Sequence, residues 1–375
     1  MMKNIVIFYI SEFGGHSKAA KNIREALDYR DSSLKVSNIN GFGYFYPRTE
    51  KVVDFLYTKL ISHFPFLWGK VYDKKKIIRK LNPCRKFVSR YTFKSLANFI
   101  KSNSPDCFVA TQAFPCGLIA DFKEKFNSKI PLIAVVTDYH PHGFWIHHLV
   151  DKYVVASEEA KSVLQASGVP EDRIEILGIP ISIKFLKAYQ KSEAISEFGF
   201  RKDLKTILLM GGGLGIGPIE KIAQSLDGLD SDFQIIVVCG KNEKLYNWFQ
   251  NNKAGFKKPV FCFGYVEFVD KLMDCADIII TKGGGITISE ALAKGLAAII
   301  TNPIPGQEER NVTYLLKKGA IMRADDPAVI CASVGMLFGD KEKLDFLRAK
   351  AKSVSAANSS LDIADLIIRA IGSSK

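Results

Sequence analysis

Short apolar runs, rich in Val and Ile, alternate with stretches of helical periodicity along most of the chain. NIVIFYI (4–10) is followed by a helical pattern from about Ser17 to Tyr29, and CFVAT (107–111), LIAVVTD (132–138) and KYVVAS (152–157) are further runs of the same kind. The runs are continuous rather than alternating. That predicts strands buried on both faces, as in a parallel sheet covered by helices. After a polar, mixed stretch over 178–202 the pattern restarts with TILLMGGG (206–213), QIIVVCG (234–240), VFCFGYV (260–266), DIIITKGGG (277–285) and AAIITNP (297–303). Helices are predicted at about 217–227, 242–252, 267–274, 287–294 and 307–318, with a further helical period over 341–372.

This pattern predicts an α/β protein of two doubly wound parallel-sheet, Rossmann-like domains facing a cleft. The expected division is 1–180, a linker at 181–203, 204–345, and a C-terminal helix within 346–375 able to return to the first domain. Ligands of such sheets bind beyond the carboxyl ends of the strands. The glycine clusters Gly14-Gly15, Gly211-Gly212-Gly213, Gly240, Gly264 and Gly283-Gly284-Gly285 all follow strands.

Length and composition fit this picture. The 375 residues are 47% hydrophobic and 24% charged, enough for two cores and against general disorder. The net charge of +13 is uneven: Lys59 to Lys94 holds eleven Lys/Arg against one acid, Asp73. Such a patch attracts nucleic acid or an anionic membrane surface, or is simply a solvated helical face. Within 51–98 the basic residues interleave with Phe55, Leu60, Phe64, Phe66, Trp68 and Tyr72, as in an interfacial amphipathic element; an inserted helix packed on the core is the alternative. No run of 18 apolar residues occurs, so no membrane span is predicted. The seven cysteines form no CxxC pair and several lie in apolar runs, which fits a reduced, intracellular protein.

Candidate chemistry concentrates in TKGGGITISEALAKGLAAIITNPIPGQEERN (281–311). A strand ends in three glycines and a helix begins near Thr287. Its free N–H groups and positive dipole end suit a phosphate. Glu290, in the expected first turn, stabilises the helix or holds a ribose diol. Gln307 and Glu308 open the next helix, where they can read sugar hydroxyls. MGGGLGIG (210–217) fails the dinucleotide fingerprint: GxGxxG starting at Gly211 meets Ile216, and starting at Gly213 meets Pro218. The segment 136–157 holds four of the six histidines, His140, His142, His147 and His148, but lacks metal-ligand spacing. No metal and no cofactor are expected.

The 281–311 segment resembles the donor-binding signature of the MurG-like GT-B glycosyltransferases, most closely monogalactosyldiacylglycerol synthases and bacterial diacylglycerol glucosyltransferases. Ala297 stands where the family often has Pro, and Phe13 where it has a further Gly. The resemblance implies that Gly212, Gly213, Phe263, Val266, Lys282, Gly283, Gly284, Thr287, Glu290, Gln307, Glu308 and Asn311 bind the donor, with the diphosphate at Gly212-Gly213 and the uracil held by backbone at Phe263–Val266. It places Gly14, Gly15, His142 and Trp145 at the acceptor, and gives His16 the role of general base, with Asp138 assisting. A capping or structural role is the alternative for His16.

The expected activity is inverting transfer of galactose or glucose from UDP-galactose or UDP-glucose to diacylglycerol. The UDP-sugar is a co-substrate, and the enzyme is expected in the cytoplasm, peripheral on the inner face of the cell membrane, with 51–98 on the anionic surface and no nucleic-acid partner. The competing readings are a MurG-like transfer to a polyprenyl-linked acceptor, a UDP-sugar epimerase, and a nucleic-acid-binding module.

Overall fold

The computed structural model describes residues 2–11, 14–45 and 92–372. The segment expected at the membrane surface, 51–98, therefore lies outside the described residues up to position 91. The chain divides into two compact units, one of Met1–Ile183, Pro305–Gln307 and Asn358–Lys375, the other of Lys184–Ile304 and Glu308–Ala357.

The first unit runs β1 (Asn4–Tyr9), α1 (Gly15–Arg30), β2 (Lys35–Asn40), α2 (Gly41–Phe45), α3 (92–103), β3 (Cys107–Ala110), α4 (Ala113–Phe126), β4 (Leu132–Val135), β5 (Lys152–Val155), α5 (Glu158–Gln165) and β6 (Ile174–Ile176). Its strands form a parallel sheet in the order β2-β1-β3-β4-β5-β6. Side chains alternate across a strand, and here both faces are buried. Val6 and Phe8 join Phe108, Leu132, Ala134 and Tyr153 under α3 and α4. Ile5, Ile7 and Tyr9 join Val109, Ile133 and Val154 under α1.

The second unit runs α6 (Lys191–Glu197), β7 (Lys205–Met210), α7 (Ile219–Asp227), β8 (Phe233–Val238), α8 (Glu243–Asn252), β9 (Val260–Phe263), α9 (Val269–Cys275), β10 (Ile278–Thr281), α10 (Gly285–Ala293), β11 (Ala297–Ile300), α11 (Gln307–Lys317), β12 (Met322–Arg323), α12 (Pro327–Gly339) and α13 (Lys341–Ser353). Its sheet is parallel in the order β12-β11-β10-β7-β8-β9. Ile207, Leu209, Ile235, Val237, Ile278, Ile280 and Ile299 pack under α7, α8 and α12.

The helical period over 341–372 resolves into two helices, α13 and α14 (Ser359–Gly372). The break falls at Val354–Asn358, where Asn358 O accepts from Asp362 N to begin the new helix. α14 belongs to the first unit. Its Ile363, Ala364, Ile367 and Ile371 pack with Ala20, Ile23 and Leu27 of α1, and Arg30 binds Asp365 at 2.9 Å. The Ser359 hydroxyl donates to Ile179 O at 2.8 Å, and Asn22 Nδ2 donates to Pro180 O at 3.0 Å. Among the described residues, no helix is long and apolar enough to cross a membrane.

Ile367 is fully buried in this seam. Ile367→Ala is expected to cost about 2–5 kcal/mol, the range for truncating a buried aliphatic side chain, measured by urea unfolding of the full chain. A loss below about 0.5 kcal/mol, the surface-substitution range, would contradict the place of α14 in the core.

Candidate active site

In the first sheet the chain leaves β1, visits β2 on one side and returns to β3 on the other. α1 and α4, which follow β1 and β3, cover opposite faces. The loops diverge there, and the carboxyl ends of β1 and β3 form the switch point at which such sheets bind ligands. His16 is the second residue of α1, with Gly14 at its N-cap. Its Nδ1 lies 2.8 Å from Thr111 O and 2.9 Å from Thr137 Oγ1. A carbonyl oxygen only accepts, so Nδ1 carries the hydrogen, shares it with the two oxygens, and leaves Nε2 with a lone pair. The Thr111 hydroxyl donates in turn to His16 O at 2.9 Å, so one threonine holds both the ring and the main chain. Burial lowers the imidazole from 6.5 to about 4, against the opposing pull of the Thr111 bond. His16 is therefore neutral at physiological pH, the state a general base requires.

Asp138 follows Thr137 beyond β4 and is 4% exposed. Beyond it, His142 is half-buried and Trp145 is fully buried in the α4 face of the core. The indole anchors the loop, with the His142 ring 6.1 Å from it. Asp151 and Tyr153 secure the far end of the same loop. The Asp151 carboxylate accepts from Leu132 N at 2.7 Å and pairs with Lys123. The Tyr153 hydroxyl accepts from His147 N and donates to His147 O, both at 2.9 Å.

In the second sheet β7 lies between β8 and β10, and the chain order reverses there. Three loops interlock at this end by backbone contact. Lys241 N donates to Gly213 O at 3.0 Å, and Cys239 N donates to Phe263 O at 2.8 Å. A Cβ on Gly240, which sits at φ +56°, would lie 2.5 Å from Gly213 O, so only glycine fits. Asn242 caps α8 through Leu245 N and also donates to Gly215 O at 3.0 Å, tying the 211–217 loop to that helix. The Phe263 ring is engaged with Phe198, Phe200 and Phe268. Val266 is half-buried one turn beyond.

Gly284 is the N-cap of α10, and the first intrahelical bond runs from Ile288 N to Gly284 O. The amides of Gly285, Ile286 and Thr287 therefore precede the helical ladder. The helix begins two residues earlier than its expected start at Thr287. Glu290 consequently falls in the second turn, not the first, and is fully buried. Asn311 Nδ2 donates to Gly283 O at 3.2 Å and holds α11 against the glycine run. Gln307 opens α11. Glu308 pairs with Lys282 and accepts from Ile304 N at 3.0 Å.

Sequence reasoning did not single out Thr111 or Asn242 as site residues. Their only signals are a polar side chain directly after an apolar run and an Asn directly before a helix.

A family model described as monogalactosyldiacylglycerol (MGDG) synthase matches residues 16–181, and one described as glycosyltransferase family 28 C-terminal domain matches 206–365. The processive diacylglycerol beta-glucosyltransferase of Bacillus licheniformis is 31% identical over 369 residues, covering 96% of this chain and 92% of that protein. Among solved structures, MurG of Acinetobacter baumannii matches with a TM-score of 0.66 at 15% identity, over 98% of this chain and 99% of that one. The UDP-GlcNAc 2-epimerase of Neisseria meningitidis, solved with UDP-GlcNAc bound, matches with a TM-score of 0.63 at 15% identity, over 98% and 100%. These two likenesses carry the fold. Fold and family models together define a glycosyltransferase of the GT-B class. The chain belongs to the family of the monogalactosyldiacylglycerol synthases and processive diacylglycerol beta-glucosyltransferases.

The depressed His16 pKa makes the stability of the fold depend on pH. The unfolded imidazole takes up a proton near 6.5 and the folded one only near 4. Stability contributed by neutral His16 is thus complete above 6.5, falls as pH drops between those values, and levels off below about 4. His16→Gln is expected to flatten that part of the stability–pH curve, measured by thermal unfolding across the range. An unchanged slope would contradict a buried neutral imidazole.

Proposed function

We propose that this protein transfers glucose from UDP-glucose to the free hydroxyl of diacylglycerol with inversion at the anomeric carbon. The observation that carries the chemistry is the His16 ring, held with hydrogen on Nδ1 and a lone pair on Nε2. The acceptor oxygen attacks C1 as its proton passes to Nε2. The bond from C1 to the β-phosphate oxygen breaks, and UDP leaves with the electron pair. Asp138 assists near the base, and Gly14, Gly15 and His142 contact the acceptor.

The second unit binds the donor in this reading. The main chain of Phe263–Val266 holds the uracil, and Gly212, Gly213, Gly283 and Gly284 allow the diphosphate close approach. The first-turn amides of α10, including Thr287, and the Lys282 ammonium offset the charge of the leaving diphosphate, so the transfer needs no metal. Glu290 holds the ribose, while Gln307 and Glu308 read the sugar and Asn311 keeps the glycine run in place. The relatives named as diacylglycerol beta-glucosyltransferases support both glucose and the lipid acceptor over a polyprenyl-linked acceptor or an epimerase. The basic, aromatic 51–98 segment is the part we assign to an anionic membrane surface, at the cytoplasmic face of the cell membrane.

Incubation with diacylglycerol-containing vesicles and separate UDP-sugars, with mass analysis of the lipids, is expected to yield hexosyl-diacylglycerol from UDP-glucose. His16→Ala should lower turnover by roughly 10²–10⁴-fold, the usual contribution of a general base, with UDP binding retained. Near-normal turnover in that variant would remove His16 as the base. Transfer from UDP-galactose alone would overturn the choice of sugar.

A further inference from the structure

Glu308 and Lys282 were each expected at the donor, and the geometry joins them into one device. The Glu308 carboxylate spends one oxygen on Ile304 N, at 3.0 Å, and the other on the Lys282 ammonium. The pair is well enclosed, with side chains 10% and 20% exposed. The backbones on either side are fixed. A Cβ on Gly283 would stand 2.9 Å from Glu308 Cβ, so the glycine run and the first turn of α11 are already in contact. The lysine stem is the movable part. It runs past the 211–217 loop, where a Cβ on Gly212, at φ +69°, would meet Lys282 Cε at 3.2 Å. It also lines a cavity of about 30 Å³ with Met210, Gly211, Ile216 and Ile304, so its flank is not closely packed there. One ammonium therefore lies within a side chain's reach of two anionic clients, the Glu308 carboxylate and a diphosphate on the Gly212 loop.

We infer that Lys282 is exchanged between them: it neutralises Glu308 when the site is empty, turns to the diphosphate when donor binds, and releases Glu308 to accept hydroxyls of the sugar. This rests on the donor assignment proposed above. A diphosphate carries more charge than one carboxylate, so it wins the flexible point charge of a lysine. The cost is an enclosed carboxylate stripped of its partner. A UDP-sugar offsets that cost with hydroxyl donors, whose bonds to a charged carboxylate are strong. UDP alone has nothing to offer Glu308. The device thus disfavours the product relative to the substrate, at the same nucleotide site, and promotes UDP release after transfer.

Calorimetric titration of the full chain with UDP and with UDP-glucose tests this. Glu308→Gln keeps a side-chain acceptor for Ile304 N but removes the charge competing for Lys282. It is expected to bind UDP about tenfold more tightly than wild type, the change equivalent to ~1.4 kcal/mol, while its preference for UDP-glucose over UDP collapses. Lys282→Met should weaken UDP binding by a similar factor. Glu308→Asp, which draws the carboxylate back by one methylene, should tighten UDP binding to an intermediate degree, and it decides the matter if the glutamine variant does not fold. UDP affinity unchanged or weakened in the Glu308 variants overturns the exchange and leaves the donor assignment standing. A wild-type chain that binds neither UDP nor UDP-glucose overturns the donor assignment, and the exchange falls with it.

Discussion

A strand buried on both faces can present chemistry only at its ends, and this constraint organises the whole protein. Alternate residues of β1 enter two different cores, Val6 and Phe8 on one side, Ile5 and Ile7 on the other. The middle of each sheet is thereby closed to water and ligand. Functional groups are left to the loops after the strands, and the widest gap between such loops occurs where strand order reverses. His16 and Thr111 stand at that place in the first sheet, and the 211–217 loop and the glycine run 283–285 stand at it in the second.

The two switch points solve different chemical problems. At the first, the proposed base requires a single imidazole that stays neutral and presents a particular nitrogen. The Thr111 carbonyl settles which nitrogen holds the hydrogen, and burial keeps the ring unprotonated. At the second, the proposed reaction needs a highly charged diphosphate to be held and then released. In that reading backbone amides and glycine contacts supply the holding, because main-chain donors are rigid and need no side chain to be ordered. Lys282 at this end is paired with Glu308, and in the proposed exchange that pair ties charge recognition to sugar recognition.

The central strands were legible from sequence because burial on both faces writes itself as unbroken Val and Ile. The edges were not. β2 reads KVSNIN and its Ser37, Asn38 and Ile39 are only partly buried, while β6 and β12 are three and two residues long. No apolar run marks them. The break between α13 and α14 was hidden because small, uncharged residues at 354–358 do not interrupt a helical period. The glycine signature was legible for a steric reason: positions such as Gly240 and Gly283 have backbone or side chain within 3 Å of where a Cβ would sit. The partners of His16 were out of reach, since Thr111 and Thr137 lie 95 and 121 residues away in the chain. The turn in which Glu290 sits depends on where α10 starts, and that is decided by Gly284 as N-cap rather than by hydrophobic period.

In the proposed reaction, a base that takes a proton from the acceptor and a donor site that stabilises the leaving diphosphate are the parts of a single displacement, with no covalent sugar–enzyme intermediate. UDP-glucose carries its sugar in the α configuration, so a single displacement leaves it β. The most direct test is the anomeric configuration of the first sugar on the lipid product, read by proton NMR coupling at C1 after transfer from UDP-glucose to diacylglycerol. A β-linked glucose is the predicted result. An α-linked glucose would contradict a single displacement with His16 as its base.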